Sequence, residues 1–342
     1  MSEPFEEMKR FLKNSQRDTV KKRLKEVVLT AGGRTLGVNG LEFLQKLMAT
    51  FEGEELPVTK AYLVGGFATY LMNTKYRYND YDIAMPVELK NPSDMMEEQT
   101  FTKILNSVKE LIRRSLQESD SQDCEGTSDQ YENLVDQFIT KKFRFNKLDG
   151  STDSWSLLSL KAANGIDLEL KFILSLARKY EFITDSVEVD LMPLLNETGG
   201  PMPFRLLCEG DINQNLKIVR KLKIKTFHPE KISGGGLLKY CRLKSEGCKY
   251  YHEKINEATI IPPMARGFFA RYGNDVEMIR KGILNYIAEH FKTVNYDAKM
   301  KFLDEIKMAC NSIEVPNNQH SLRSAVFEII EELKSQETGA SS

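Results

Sequence analysis

The stretch Asp80-Tyr81-Asp82-Ile83 decides the fold assignment. Alternate side chains of a β-strand lie on one face, so Asp80 and Asp82 can reach a common site. Carboxylate oxygens are the ligands that Mg²⁺ prefers in proteins. An Asp-x-Asp tripeptide alone, however, is usually a solvated strand face or a loop. The residues around it therefore decide its meaning.

A glycine turn precedes this stretch and an acidic strand follows it. The apolar run Ala61-Tyr62-Leu63-Val64 predicts a buried strand that ends in a turn at Gly65-Gly66. No side chain blocks the backbone N–H groups of that turn, so they can approach a phosphate. Much later, Asp167 and Glu169 alternate with apolar residues and predict a half-buried strand with both carboxylates on one face.

The order of these elements predicts a nucleotide-transferring site. Two metal ions held by carboxylates can bind the attacking and leaving oxygens when a nucleotide is transferred to a 3′-hydroxyl. Asp80 and Asp82 supply two of the carboxylates, and either Asp167 or Glu169 can supply the third. The strand pattern alone leaves that choice open, because one of the two can be an ordinary surface residue.

The length of the chain favours two domains, and its net charge is close to zero. The 342 residues are 41% apolar and 28% charged, with a formal net charge of −1. We predict no membrane span and no secretory signal, and the five scattered cysteines favour a reducing compartment, either cytosol or nucleus.

The predicted organisation is an N-terminal α/β domain followed by a helical domain. We place the catalytic core, with its N-terminal helix, at residues 1–205, the helical domain at 206–334 and a disordered tail at 335–342. Residues 117–137 are acidic and polar, and we interpret them as a solvated loop.

A basic segment in the second domain is a candidate nucleic-acid surface. Residues 217–254 are rich in Lys and Arg and carry interleaved aromatic residues, which suits phosphates and bases. For the first cations, RNA binding and a plain solvated helix face are equally favoured. These cations are Lys217, Arg220, Lys221, Lys223 and Lys225. The run Gly234-Gly235-Gly236 opens a helix that carries Lys239, a suitable arrangement for an anion such as a triphosphate.

Two motifs make the chain resemble a known enzyme family. They are Leu168-Glu169-Leu170-Lys171-Phe172 and the long stretch from Pro229-Glu230-Lys231-Ile232-Ser233 through Gly234-Gly235-Gly236-Leu237-Leu238-Lys239-Tyr240-Cys241. With Asp80-Tyr81-Asp82-Ile83, they resemble the animal poly(A) polymerases called family with sequence similarity 46, or the fifth terminal nucleotidyltransferase family. The resemblance covers residues 25 to 334. It departs at Gly65-Gly66, where that family usually has Gly-Ser, and at Phe67.

The resemblance implies a bilobal α+β fold, with a polymerase β-like nucleotidyltransferase core and a C-terminal helical domain. It implies ATP as donor, Mg²⁺ or Mn²⁺ as metal, and RNA 3′ ends, mRNA among them, as acceptor. Glu169 becomes the expected third ligand beside Asp80 and Asp82. The expected nucleotide-binding residues are Gly65, Gly66, Ser233, Gly234, Gly235, Lys239 and Tyr240.

The remaining predictions concern the location of the protein, its partners and two alternative functions. We expect a cytoplasmic and secondarily nuclear protein, and a partner protein that recruits RNA, because the net charge is near zero. One alternative is a terminal transferase with another nucleotide preference or acceptor. The other is a weakly active or inactive interaction protein that keeps the fold.

Overall fold

The computed structural model describes residues 10–89, 93–119, 128–145, 153–176, 182–226, 236–251, 257–272, 275–291, 296–311, 313 and 316–339. By its contacts the chain separates into two compact units. The first comprises Met1–Lys179 with Asp185–Cys208, and the second comprises Tyr180–Thr184 with Glu209–Ser342. The domain division between residues 205 and 206 stays a prediction.

The first unit is built on a mixed β-sheet. The strands of this unit are β1 (Arg10–Phe11), β2 (Val28–Ala31), β3 (Arg34–Asn39), β4 (Tyr62–Val64), β5 (Asp80–Pro86), β6 (Ile139–Phe145), β7 (Ser154–Leu160), β8 (Asp167–Ser175), β9 (Val187–Asp190) and β10 (Pro203–Leu206). In the described part of the chain the main sheet has the order β1-β10-β9-β4-β5-β8-β7-β6, and β2 pairs with β3 separately. The strands predicted around Leu63, Phe143, Trp155 and Leu168 are all present.

The pairing of β5 with β8 is the parallel one in this sheet, and it sets the position of the carboxylates. Asp80 lies opposite Asp167 and Asp82 lies opposite Glu169. The neighbouring pairs β4–β5 and β7–β8 are antiparallel. β5 and β8 are central strands, which explains why Ile83, Leu168 and Leu170 are fully buried.

The helices of the first unit bury their apolar faces against this sheet and each other. In the described residues they are α1 (Asn14–Lys25), α2 (Gly40–Gly53), α3 (Gly65–Met72), α4 (Asp94–Ser119), α5 (Ser128–Phe138) and α6 (Met192–Leu195). Phe51 of α2 meets Phe172 of β8 edge to face, with ring centroids 5.9 Å apart. This contact anchors the helical layer directly behind the strand that carries Glu169.

The second unit is mainly helical. It contains α7 (Ile212–Arg220), α8 (Gly236–Ser245), α9 (Ile261–Tyr272), α10 (Val276–His290), α11 (Tyr296–Cys310) and α12 (Pro316–Gly339), with the short parallel pair β11 (Lys223–Ile224) and β12 (Lys249–Tyr250). Asp275 caps α10 by accepting the Glu277 and Met278 N–H groups at 2.8 and 3.1 Å. Ile279, Ile283 and Ile287 form the predicted buried stripe of α10.

The predicted α+β class is confirmed by the central sheet and the surrounding helices. Among the described residues, no helix combines the length and the apolar character that a membrane crossing requires.

Two segments interpreted as irregular are helical at the described positions. The acidic segment 117–137 contributes its first residues to α4 and its last ten to α5. Val135 and Phe138 explain this, because they recur at helical spacing and are buried. The tail prediction at 335–342 is likewise wrong for residues 335–339, which continue α12. The Ser335 hydroxyl donates to the Glu331 carbonyl there at 2.6 Å, so this turn keeps helical geometry.

We predict that Asn39→Ala lowers the free energy of unfolding by about 1 kcal/mol. The Asn39 carboxamide oxygen accepts the Leu41 and Glu42 N–H groups, both at 3.1 Å, and so caps α2. Urea unfolding measures the loss, and Asn39→Asp serves as the control because it retains a capping oxygen. Equal stability of the alanine variant and the wild type would contradict this account of the helix start.

Candidate active site

A row of side chains crosses the sheet at the level of Asp82. The register places Val64 of β4 on one side of Asp82 and Glu169 of β8 on the other. Ser159 of β7 lies next in the row, opposite Glu169. Asp82 and Glu169 are each 8% exposed, so the two carboxylates are buried side by side. The structure therefore brings together two of the three sequence-predicted ligands, with Asp80 two positions earlier on β5.

The turn from β4 into α3 is shaped by Asp82. Gly65 has φ +67°, a conformation that side chains rarely adopt, and a Cβ at this position would lie 2.2 Å from Asp82 Oδ2. The glycine therefore makes room for a carboxylate, a reason that is independent of any phosphate. Val64, the residue before α3, supplies no side-chain cap, so its side chain leaves the first N–H groups of the helix uncovered.

Gly66 is matched to Tyr78. A Cβ at Gly66 would lie 3.0 Å from the Tyr78 Cβ and 3.4 Å from its Cα. A serine, as the resembling family usually has here, would force Tyr78 to shift. Glycine at this position therefore fits the local packing of this chain.

An aromatic cluster supports the strand that carries the aspartates. Phe67 is fully buried, and its ring centroid lies 4.8 Å from that of Tyr78 and 4.9 Å from that of Tyr81. Tyr81 is the middle residue of Asp80-Tyr81-Asp82, and burial raises the pKa of its phenol. Because alternate residues face opposite sides of a strand, Tyr81 anchors β5 on the side away from the carboxylates.

The two candidates for the third carboxylate differ in their local contacts. Asp167 Oδ1 accepts the Ala162 N–H group at 3.1 Å and so ties the strand to the turn between β7 and β8. Glu169 instead lies beside Asp82 in the sheet register. These positions favour Glu169, whose role as a metal ligand stays a prediction.

A lysine lies within the carboxylate cluster. Lys171 Nζ is 2.6 Å from Asp82 Oδ1, and the two side chains are 32% and 11% exposed. Burial alone lowers the pKa of the Lys171 ammonium, but the charges of Asp82, Glu169 and Asp80 outweigh burial and raise it above its ordinary value. Lys171 and Asp82 therefore form an ion pair within the cluster.

The donor set suits Mg²⁺ or Mn²⁺ in its chemistry. Asp80, Asp82 and Glu169 offer hard carboxylate oxygens, and Asp82 and Glu169 are nearly buried. As the side chains stand, the described residues contain no group of three or more His, Cys, Asp or Glu in metal-coordinating geometry. The carboxylates therefore suit a divalent ion in their donor atoms but do not coordinate one as arranged here, and the cation in contact with Asp82 is Lys171.

Two of these features were missed from the sequence. Lys171 stands two positions after Glu169 on an alternating strand, a spacing that places both on one face. Ser159 is fully buried opposite Glu169, and its hydroxyl has no partner within the described residues. Only the strand pairing identifies Ser159, because nothing in its own sequence marks it.

The remaining predicted nucleotide-binding residues belong to the second unit. Ser233, Gly234 and Gly235 lie outside the described residues. Lys239 is half-buried on α8. Tyr240 is buried, and its hydroxyl donates to the Glu257 carboxylate, which also pairs with Lys244 at 2.8 Å. Burial and that hydrogen bond raise the pKa of Tyr240. Nucleotide binding by Lys239 and Tyr240 stays a prediction.

The predicted RNA-binding cations occupy α7 and the residues after it. The exposed ones are Lys217, Arg220 and Lys221, and the half-buried ones are Lys223 and Lys225. Lys225 Nζ lies 5.2 Å from the centroid of the Tyr251 ring. A cation beside an aromatic face suits a nucleic acid, and it equally stabilises the protein by itself. RNA binding by this group stays a prediction.

A family comparison identifies the family of the chain. The sequence profile of a family described as nucleotidyltransferase matches residues 12–333, which include both strands of the site. The chain belongs to this family. The nucleotidyltransferase is thus a transferase enzyme, as the order of its glycine turn and acidic strands predicts.

Curated relatives narrow the resemblance. Terminal nucleotidyltransferase 5B of Xenopus tropicalis is 25% identical over 301 residues, covering 84% of this chain and 72% of the relative. Terminal nucleotidyltransferase 5D of Homo sapiens is 27% identical over 270 residues, covering 75% and 65%. Terminal nucleotidyltransferase 5C of Mus musculus is 32% identical over 155 residues, covering 42% and 39%. The predicted resemblance to the fifth terminal nucleotidyltransferase family is confirmed. The chain spans less than two thirds of the human relatives 5B and 5D, at 60% and 65% of their lengths.

The alignment with a solved structure, that of E. coli MS115-1 CdnC with ATP, covers 93% of this chain and 94% of the CdnC chain. Its sequence identity is 10% and its TM-score is 0.25, a similarity too low to support an inference.

We predict that Gly65→Ala lowers nucleotidyl transfer by about 100-fold or more, a loss of several kcal/mol of transition-state stabilisation. The added methyl would collide with Asp82 Oδ2 and displace the carboxylate. Initial rates and urea unfolding measure the effect.

Gly33→Ala is the matched control. Gly33 has φ +79° but no atom within 4 Å of its Cβ position, so this variant carries backbone strain without a collision. It should lose about 1–2 kcal/mol of stability and keep its activity. Equal activity of the two variants would refute the steric role of Gly65.

Proposed function

We propose that the nucleotidyltransferase adds AMP from ATP to RNA 3′ ends without a template, as a poly(A) polymerase acting on mRNA. The pairing of Asp82 with Glu169 beside the Gly65 turn carries the proposal. Buried carboxylates in neighbouring strands, with Asp80 close by, form a donor set for divalent metal ions. The names of the relatives support terminal nucleotide transfer.

The chain's own residues have distinct parts in this reaction. Asp80, Asp82 and Glu169 would hold Mg²⁺ or Mn²⁺, which would stabilise the charge on the attacking and leaving oxygens of the transfer. The start of α3 presents backbone N–H groups that Val64 does not cap, and these can bind the triphosphate. From the sequence, Lys239 is expected to be a further nucleotide-binding cation.

The acceptor side of the proposal rests on the second unit. Lys217, Arg220 and Lys221 are exposed cations of α7 and its end, and they would contact the RNA backbone. Since the whole chain has a formal net charge of −1, a partner protein would deliver the RNA. We place the reaction in the cytoplasm, with the nucleus as a second site.

The first test is extension of an oligo(A) RNA with Mg²⁺ or Mn²⁺ and each nucleoside triphosphate separately. ATP-dependent extension is expected, and Asp80→Asn/Asp82→Asn should reduce it by at least about 100-fold, because the metal contributes several kcal/mol. Lys60→Met, which breaks an exposed ion pair with Glu88, should leave the rate unchanged. Extension with UTP alone would exclude poly(A) synthesis, and folded protein without any extension would favour an interaction protein.

The third ligand has its own test. Glu169→Gln should lower the rate constant of the transfer by about 100-fold or more, since a neutral amide is a poor metal ligand. Asp167→Asn is the matched control, because its amide oxygen can still accept the Ala162 N–H group. An inactive Asp167→Asn beside an active Glu169→Gln would show that Asp167 is the ligand.

A further inference from the structure

Lys171 differs from an exposed lysine in the surroundings of its ammonium group. It stands on β8 between Ala84 of β5 and Leu157 of β7, two positions after Glu169. Its ammonium lies 2.6 Å from Asp82 Oδ1, and the side chains of Lys171 and Asp82 are 32% and 11% exposed. By contrast, Lys60 and Glu88 pair at 3.2 Å with side chains 51% and 56% exposed. Solvent screens the Lys60 pair far more than the Lys171 pair.

The carboxylates around Lys171 need a positive charge. Asp82 Oδ1 lies 2.6 Å from the Lys171 ammonium, and Glu169, opposite Asp82 in the sheet register, stands two positions before Lys171 on the same face of β8. Asp82 and Glu169 are adjacent and nearly buried, so their like charges repel each other strongly in the absence of a cation. A fixed ammonium beside Asp82 counteracts that repulsion before any metal ion arrives.

We propose that Lys171 is a positioning residue that serves as an internal counter-ion of the carboxylate cluster. It holds Asp82 in place in the metal-free protein, and it lowers the affinity of the cluster for divalent cations by contributing a competing positive charge. This inference rests on the proposed function only in that Asp80, Asp82 and Glu169 bind the metal. A lysine that bound the triphosphate directly would be a different role, and the measurements below separate the two.

The test is thermal unfolding of the full chain after chelation and then across a MnCl₂ titration, with neither nucleotide nor RNA present. Lys171→Met should lower the Tm of the metal-free protein. It should also lower the Mn²⁺ concentration of half-maximal stabilisation by about tenfold, because a nearby like charge is removed. Lys171→Arg should restore both values to within about twofold of the wild type, since it keeps the charge.

Two further variants keep the test decisive. Lys171→Gln carries the same expectations in a polar side chain, should the methionine variant fail to fold. Lys60→Met removes a lysine from the exposed pair and should leave the Mn²⁺ midpoint unchanged.

Each contrary outcome has a distinct meaning. An unchanged or higher Mn²⁺ midpoint in both Lys171→Met and Lys171→Gln overturns the counter-ion role. A raised KM for ATP with an unchanged Mn²⁺ midpoint also overturns the counter-ion role, and it shows that Lys171 binds the triphosphate. A wild-type protein that shows no response to Mn²⁺ overturns the proposal together with the metal-binding part of the proposed function. Because the titration contains no substrate, failure to extend RNA leaves its result intact.

Discussion

The electrostatic crowding of acidic side chains on two adjacent strands is the constraint on which the rest of the site depends. The parallel register puts Asp82 against Glu169, and both are nearly buried. Carboxylates in such surroundings require cations close by. The local structure meets this demand from two sides, because Gly65 leaves space for Asp82 Oδ2 and Lys171 approaches Oδ1. Backbone conformation and charge thus act on the two oxygens of one side chain.

The residues behind the site adapt to each other as a set. Gly66 accommodates Tyr78, Tyr78 contacts Phe67, and Phe67 packs on Tyr81 between the two aspartates. Gly66 and Phe67 look like separate departures when each is compared with the resembling family. In the structure they are linked through Tyr78, which packs on Gly66 and on the Phe67 ring.

The sequence predicted the strands and turns of the site better than the contacts between them. Strand alternation in β8 and the Gly-Gly and Asp-x-Asp pattern predicted a common site that contains Asp82 and left Asp167 and Glu169 as alternatives. The family resemblance favoured Glu169, which the strand register places opposite Asp82. The alternation of β8 places Lys171 on the face of Glu169, but the position of Ser159 opposite Glu169 follows only from the strand pairing, because hydrogen-bonded register links positions far apart in the chain. The acidic segment was misread since its many charges concealed the helical spacing of Val135 and Phe138. Composition reports solvation of a segment, whereas a few buried positions decide its secondary structure.

The parallel pairing of β5 with β8 also bears on how the protein folds. Parallel strands need a long crossover connection, and here residues 87–166 lie between the two, including α4, α5, β6 and β7. Closing so long a segment costs entropy before any contact between the strands compensates for it. The hairpin of β7 and β8, which is local in sequence, can form earlier and offer its free edge to β5. Asp82 and Glu169 therefore come together only when this non-local pair closes, so the acidic cluster depends on a contact between strands far apart in the chain.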